Sequence, residues 1–579
     1  MTSVTLTTSG NNCTLSNGIL TLSWKEDGTI GSIIRNGVEL VCNTPERSDT
    51  DGATVFYVDY HAEGGFRKYR TPKLKVIEST PEMAHIAYVD ATGYLAIEYH
   101  IILMQGESGY YSYVIGANNT DTEFDLSEFR IVYRCGNRIF DHAYNNERHG
   151  LQPTKKYMEQ YEKLFDETYR LPDGEKYTNG DVYSKYDYAG YFSKNPAWGQ
   201  YGHGYGFFLI PVSTEYYPGG PLKQELLVHY NGIVLNYFTG AHFGSGAFRV
   251  PIGWKKFYGP FYQYFNEGND PEALYQDALS VAAAEQAKWP YQWVNDPLYP
   301  LVRSQVTGKL LFNDGTPCRN TTVILGKPGL NIERQTADYI YYTTTDDKGF
   351  YTLKNVRFGK YSLYAYQTFP YWDETALCEN TSQGTTQCIG SNTECLQADG
   401  IVISRPTQTL SDITWKVPRD KVLWQLGKAT RTCEGYLFAG ELRNYKWPQM
   451  VPETLHFIIG KNTESKDWYY AQTKPGTWYL HFHLDVIPSA PCKLIIAIAG
   501  AKAGLLRVTL NGEEEAHLVN QTFLVNDGAI YRSATLNGRY RRIEIPIDPE
   551  RLQTGENILM LHNKEGMVMY DTILMTETI

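Results

Sequence analysis

Residues 19–37 read ILTLSWKEDGTIGSIIRNG, and this stretch decides the fold class. Apolar side chains alternate with polar ones over 19–24 and again over 30–34, the period of two that turns one strand face to a core and the other to water. Asp27-Gly28 and Asn36-Gly37 punctuate the run, and such dipeptides between alternating segments are the strongest local signal for a β-hairpin. The pattern returns at 74–77, 85–89, 95–104 and 111–115, which predicts an all-β chain that opens with antiparallel sheets stacked as a large sandwich. The glycine- and tyrosine-rich residues 181–244 would supply long loops along a cleft on that sandwich.

One helix interrupts the strands. Asp270 supplies an N-cap and Pro271 the first helical position, the run to Lys288 is rich in alanine, and Trp289, Pro290 and Tyr291 end it. A boundary just beyond gives a first domain of residues 1–298. Residues 299–418 carry shorter strand segments at 304–312, 322–325, 339–344, 350–353 and 361–366, the pattern of a small Greek-key-like sandwich that ends at Pro418. Residues 419–579 form a third β unit of jelly-roll type, with hairpin signals at Asn511-Gly512 and Asn537-Gly538. Its Trp424, Trp468 and Trp478 could stack on flat ligands, although at least half belong in a core.

The 579 residues exceed what one core supports. A formal net charge of −11 excludes nucleic acid as partner, because a polyphosphate needs a large basic footprint. No run approaches the roughly 18 apolar residues of a membrane helix, so a soluble chain with no membrane partner is expected. The 47 tyrosines suit half-buried sheets and flat amphipathic ligands alike. Among the nine cysteines none has C-x-x-C spacing, which argues against a zinc site. Cys378, Cys388 and Cys395 crowd one polar loop and would suit a disulfide, with at least one thiol left over from the odd total. Residues 1–4 show no signal peptide; the chain is expected to be cytosolic or a mature form restarted at Met1. P-loop, strand-led G-x-G-x-x-G, H-E-x-x-H and G-x-S-x-G motifs are absent from the sequence.

Several blocks carry a resemblance. Residues 181–187 (DVYSKYD), 201–208 (YGHGYGFF), 215–225 (EYYPGGPLKQE), 240–244 (GAHFG) and 257–264 (FYGPFYQY) resemble the corresponding blocks of rhamnogalacturonan endolyases of polysaccharide lyase family four. The carboxyl-terminal blocks 423–426 (LWQL), 467–469 (DWY) and 570–574 (YDTIL) are similar too, so the resemblance spans nearly the whole chain. It implies a galactose-mutarotase-like catalytic sandwich, a fibronectin-type-III-like module and a jelly-roll carbohydrate-binding-like module. It also implies cleavage of the α-1,4 bond from rhamnose to galacturonate in rhamnogalacturonan I by β-elimination, leaving an unsaturated galacturonate at the new non-reducing end. Residues 181–244 then wall a carbohydrate cleft.

The family's lysine in Y-[ST]-K-Y-D matches Lys185, its histidine in A-H-F-G matches His242, and its tyrosine five residues earlier matches Tyr237. A second family tyrosine, seven residues before the histidine, is Leu235 here. The family's arginine facing the uronate carboxylate matches Arg130, with Arg134 on the same strand face as the alternative. Elimination from a uronate needs this set: a cation on the carboxylate, a base at the weakly acidic C5 proton, and an acid at the departing O4. Lys185 and His242 would transfer the protons, in either assignment. Free lysine titrates at about 10.4, so a base role needs desolvation or neighbouring arginine cations to lower it. Taken alone, Lys185 would pair with Asp187 on a loop and His242 would be structural. His203, His229 and Lys223 are alternates, and Trp198 and Tyr217 could stack on sugar rings.

The resemblance implies a secreted monomer with no cofactor for catalysis; a structural calcium ion near Asp571 is a further expectation. The alternatives are a non-catalytic pectin-binding protein and a glycoside hydrolase. A hydrolase needs two carboxylates about 5 to 10 Å apart, and Asp181, Asp187, Glu215 and Glu225 are available.

Overall fold

A computed structural model describes the chain apart from residues 1, 42–55, 69–71, 178–179, 241, 244–246, 330–334, 368–377, 381–385, 389–394, 417–419, 444–445, 513–517, 524–526 and 579. Two compact units emerge. The first holds Met1–Ala241, Ser245–Val302 and Leu330–Ile340; the second holds His242–Gly244, Arg303–Gly329 and Tyr341–Ile579.

The first unit opens with the meander that residues 19–37 predict. Thr5–Ser9, Asn12–Ser16, Leu20–Trp24, Ile30–Arg35 and Val38–Glu39 pair in sequence order. Arg35 pairs with Val38, so Asn36-Gly37 is a two-residue turn, and both residues take the positive φ (47° and 82°) that such a turn requires. A nine-stranded and a seven-stranded antiparallel sheet follow. Val58, Phe129, Ile131 and Phe238 of the smaller sheet share one core with Ile86, Ile101, Leu209 and Phe261 of the larger. Alternation along each strand sends the intervening residues to the other face. On the nine-stranded sheet that outer face, with Ile102, Tyr111, Phe208 and Ile210, packs with Leu274, Tyr275, Ala278 and Ala282 of the Pro271–Lys288 helix. The Asp270 carboxylate caps this helix by accepting from Glu272 N at 3.0 Å.

The glycine- and tyrosine-rich stretch corrects the loop expectation. Residues 198–211 form the strands Trp198–Gly202 and Tyr205–Pro211 inside the nine-stranded sheet, joined by a His203-Gly204 turn. Gly199 is needed because a Cβ there would lie 1.9 Å from the Phe207 carbonyl oxygen. Trp198 and Tyr217 are buried, with Trp198 Nε1 donating to Leu235 O at 2.9 Å and the Tyr217 hydroxyl to Asn236 Oδ1 at 2.7 Å. Neither is placed to meet a sugar face.

The second unit contains two four-stranded sheets and an eight-stranded one. Within the four-stranded pair, Ser304–Phe312 matches the expected 304–312 and pairs in parallel with Thr407–Thr409 and Ile413–Trp415. In the eight-stranded sheet Gly555–Thr578 is the central strand, bordered by Gly476–Leu484 and Cys492–Leu510. Trp424, Trp468 and Trp478 are buried, so they serve the core. Cys395 Sγ donates to the Leu396 carbonyl at 3.4 Å, while the side chains of Cys378 and Cys388 lie outside the described residues.

Candidate active site

The seven-stranded sheet builds a polar face on the side away from the core. Arg130 on Phe124–Arg134 stands opposite Tyr237 on Ile233–Thr239 and opposite Asp59 on Phe56–Ala62. Directly opposed residues share a face, so the three meet. Arg130 Nε lies 2.8 Å from Asp59 Oδ1 and Nη2 3.2 Å from Oδ2, a two-point pairing, while Nη1 lies 3.1 Å from Glu128 Oε2 and donates to the Tyr237 hydroxyl. Asp59 is fully buried, whereas the Arg130 side chain keeps 19% exposure. Burial works against the Arg130 charge, but Tyr237, Asp59 and Glu128 outweigh it and hold the guanidinium protonated. Burial lifts the Tyr237 phenol well above its ordinary value despite the Arg130 cation, so it keeps its proton.

Lys223 and Glu225 extend this row. Both are buried, Lys223 Nζ lies 3.2 Å from Glu225 Oε2, and it donates to the Gly240 carbonyl at 3.5 Å. A Cβ on Gly240 would sit 2.3 Å from Glu225 Oε2, so glycine lets this carboxylate close on the end of the strand. Lys223, the alternate named from the sequence, thus lies buried against Glu225.

Four residues along the same strand, roughly 13 Å away, Arg134 stands opposite Ile233, and Ile233 opposite His229. Arg134 Nε donates to the Tyr57 hydroxyl at 3.0 Å. His229 Nε2 lies 3.1 Å from Glu167 Oε2 and Nδ1 3.1 Å from the Tyr230 carbonyl. Glu167 leads to Lys185. The strands Lys163–Phe165, Thr168–Arg170 and Val182–Ser184 form a small sheet, and the hairpin tip between the first two carries Asp166 and Glu167. Lys185 Nζ lies 3.1 Å from Asp166 Oδ1 and 3.3 Å from Glu167 Oε2. The Tyr186 hydroxyl donates to Asp166 Oδ2 at 2.5 Å.

This arrangement corrects two expectations about Lys185. Its described partners are two carboxylates rather than arginines, and its acid is not Asp187, whose buried carboxylate accepts from Ser184 N at 3.2 Å. Burial would raise the Glu167 carboxyl, yet hydrogen bonds and charges from His229 and Lys185 hold it well below the usual range. Asp59, Glu128, Asp166 and Glu167 are site residues that sequence reasoning missed. Asp59 had a signal, a lone carboxylate in the otherwise apolar FYVD.

His242 occupies a turn after Gly240, half-buried, and its carbonyl accepts from Arg532 Nη1 at 3.0 Å. It belongs to the second unit and Lys185 to the first. His203 sits on its turn with 64% side-chain exposure. Asp571 is fully buried, and its Oδ1 accepts from Thr430 N at 2.8 Å. Among the described residues no group of three or more His, Cys, Asp or Glu side chains is arranged to hold a metal.

Comparison with known proteins decides the family. The rhamnogalacturonate lyase family matches residues 1–163, and domains II and III of polysaccharide lyase family 4 match residues 313–369 and 422–575. A rhamnogalacturonate lyase of Dickeya dadantii is 38% identical over 582 residues, covering 99% of this chain and 95% of that relative. The chain belongs to the rhamnogalacturonate lyase family, polysaccharide lyase family 4. A probable rhamnogalacturonate lyase B of Aspergillus niger is 24% identical across 100% of this chain and 90% of its own length. A galactose mutarotase-like protein of Lactobacillus casei covers 44% of this chain and all of its own, at 11% identity and a TM-score of 0.27. By its family models and its 38% identical relative, this chain is a polysaccharide lyase of predominantly β-sheet architecture, with a fibronectin-type-III-like and a carbohydrate-binding-module-like domain after its large sandwich. No helix among the described residues is long and apolar enough to cross a membrane.

Proposed function

We propose that the enzyme cleaves the α-1,4 rhamnose–galacturonate bond inside rhamnogalacturonan I by β-elimination. The observation that carries this reading is the Arg130–Tyr237 pair on the polar sheet face: a guanidinium held charged beside a phenol that keeps its proton. Removal of the C5 proton throws charge onto the uronate carboxylate, and a fixed cation with a neighbouring donor stabilises that charge more in the transition state than before it. Arg130, Arg134 and Tyr237 would contact the substrate, and Lys185 and His242, matched by family motif, would transfer the C5 and O4 protons. Breaking the C4–O4 bond then leaves a C4–C5 double bond, with no water consumed. Domains at 1–298, 299–418 and 419–579, secretion, a monomeric state and catalysis without a metal complete the proposal.

The test is ultraviolet absorbance of the unsaturated uronate during incubation with rhamnogalacturonan I. Homogalacturonan, Lys185→Ala and a chelator serve as parallel arms. A rise on rhamnogalacturonan I alone, lost in the variant and indifferent to chelator, is expected. New reducing ends without absorbance would point to hydrolysis; binding without either product would leave a pectin-binding protein. A drop in melting temperature on chelation, with activity intact, would locate calcium in a structural role.

A further inference from the structure

Resting on the reading of Lys185 as a proton-transfer residue, we propose that Asp166 and Glu167 are positioning residues that hold the Lys185 side chain at one fixed place. In extended backbone, successive side chains point to opposite faces. Glu167 breaks that alternation with a φ of 45°, a left-handed conformation uncommon outside glycine. Both carboxylates of the hairpin tip therefore reach the same Nζ, at 3.1 and 3.3 Å.

Each carboxylate is itself fixed. Asp166 Oδ2 accepts from the Tyr186 hydroxyl, and Glu167 Oε2 is seated by His229 Nε2. The backbone ties the two segments together, because Lys185 N donates to Glu167 O at 3.1 Å. Nζ lies 5.0 Å from the centroid of the Tyr186 ring, and the side chain is 15% exposed. The charged and titratable groups around the ammonium are thus Asp166 and Glu167 from the hairpin, His229 and Tyr230 at the end of Gln224–His229, and Tyr186 from its own segment. The Glu167 carboxyl stays ionised in this setting, which is the form that pairs with a cation. His229, the cross-strand neighbour of Ile233, joins the assembly to the sheet face that carries Arg134 and Arg130.

This arrangement bears on the chemistry. An ammonium can donate a proton or face a carboxylate as it stands; it takes up a C5 proton only after losing one of its own.

Glu167→Gln and Asp166→Asn keep shape and hydrogen-bonding oxygens while removing charge. Two readouts apply. The first is labelling of Lys185 by acetic anhydride at fixed pH, read by peptide mass spectrometry against exposed lysines of the same protein. Removing an opposite charge within 4 Å favours the neutral amine, so labelling should rise severalfold in each variant. The second is the pH profile of kcat/KM on rhamnogalacturonan I, where one limb should move to lower pH in each variant relative to the wild type. A shifted rising limb makes Lys185 the base, and a shifted falling limb makes it the acid; either supports the hairpin's role. Unchanged labelling with the limb in place overturns the proposal and leaves the lyase reading standing. No elimination by the wild type removes the proton-transfer reading, and labelling alone then decides whether the carboxylates hold the ammonium. Far-ultraviolet circular dichroism checks folding, and Asp166→Asn remains available should Glu167→Gln not fold.

Discussion

At the scale of the residue, the two-point pairing of Arg130 with Asp59 governs the sheet face. Breaking a buried pair from one side leaves an uncompensated charge, at a cost of about 3–5 kcal/mol; the 19% exposure of Arg130 puts the effect at the low end. Arg130→Ala should lower stability by about 3 kcal/mol in urea unfolding. Asp59→Asn added to it should recover most of that loss, whereas activity should stay low in both. A second residue-scale expectation concerns Asp571, whose carboxyl is pushed up to about 7 by burial, only partly offset by the Thr430, Arg431 and Thr432 amides and the Arg431 charge. The unfolded value is about 3.9, so the folded state holds a proton that the unfolded chain releases between these values. The stabilisation is complete below about pH 4 and is lost as pH rises through 7, on the order of a few kcal/mol in all. Asp571→Asn should flatten that part of the stability–pH curve relative to wild type.

Elements were legible where local chemistry suffices. The Asn36-Gly37 turn and the capped Pro271–Lys288 helix lie where propensity puts them, because each is fixed by φ preference or by a hydrogen bond between near neighbours. Propensity predicts loop around residues 198–211, because glycine weakens a strand. Its glycines instead allow close backbone approach in the middle of a sheet. Gly199→Ala tests this element: a Cβ 1.9 Å from the Phe207 carbonyl oxygen forces the backbone to shift, and a loss of about 1–3 kcal/mol is expected by thermal or urea unfolding. A change near zero would mean that the two strands can part without cost.

Across the whole molecule, the net charge of −11 opposes a polyuronate at long range. The Debye length shrinks from about 30 Å at 0.01 M salt to about 10 Å at 0.1 M. Rising salt should therefore increase kcat/KM on polymeric rhamnogalacturonan I up to about 0.1 M, with a much smaller rise on short oligosaccharides. A monotonic fall from the lowest salt would mean that a local cationic field dominates the encounter. The polar row on the seven-stranded sheet is such a field only in part, because Arg130 is already matched by Asp59 and Glu128.

Sequence by itself determined the all-β class, the strand segments, the single long helix and the blocks that mark the family, since all of these are written in short-range periodicity, turn chemistry or residue identity. It also placed Arg130 and Arg134 on one face, because strand period needs no partner to be read. Only the tertiary structure decided who meets whom. Asp59 reaches Arg130 across 71 residues through the register of paired strands, and Glu167 reaches His229 across 62 between separate sheets, neither by any local signal. Lys185 was legible as a candidate, but its acidic partners were not, because its charge environment is built by a hairpin tip whose backbone turns left-handed at Glu167. Charge environments sum over neighbours in space, and sequence order does not record them.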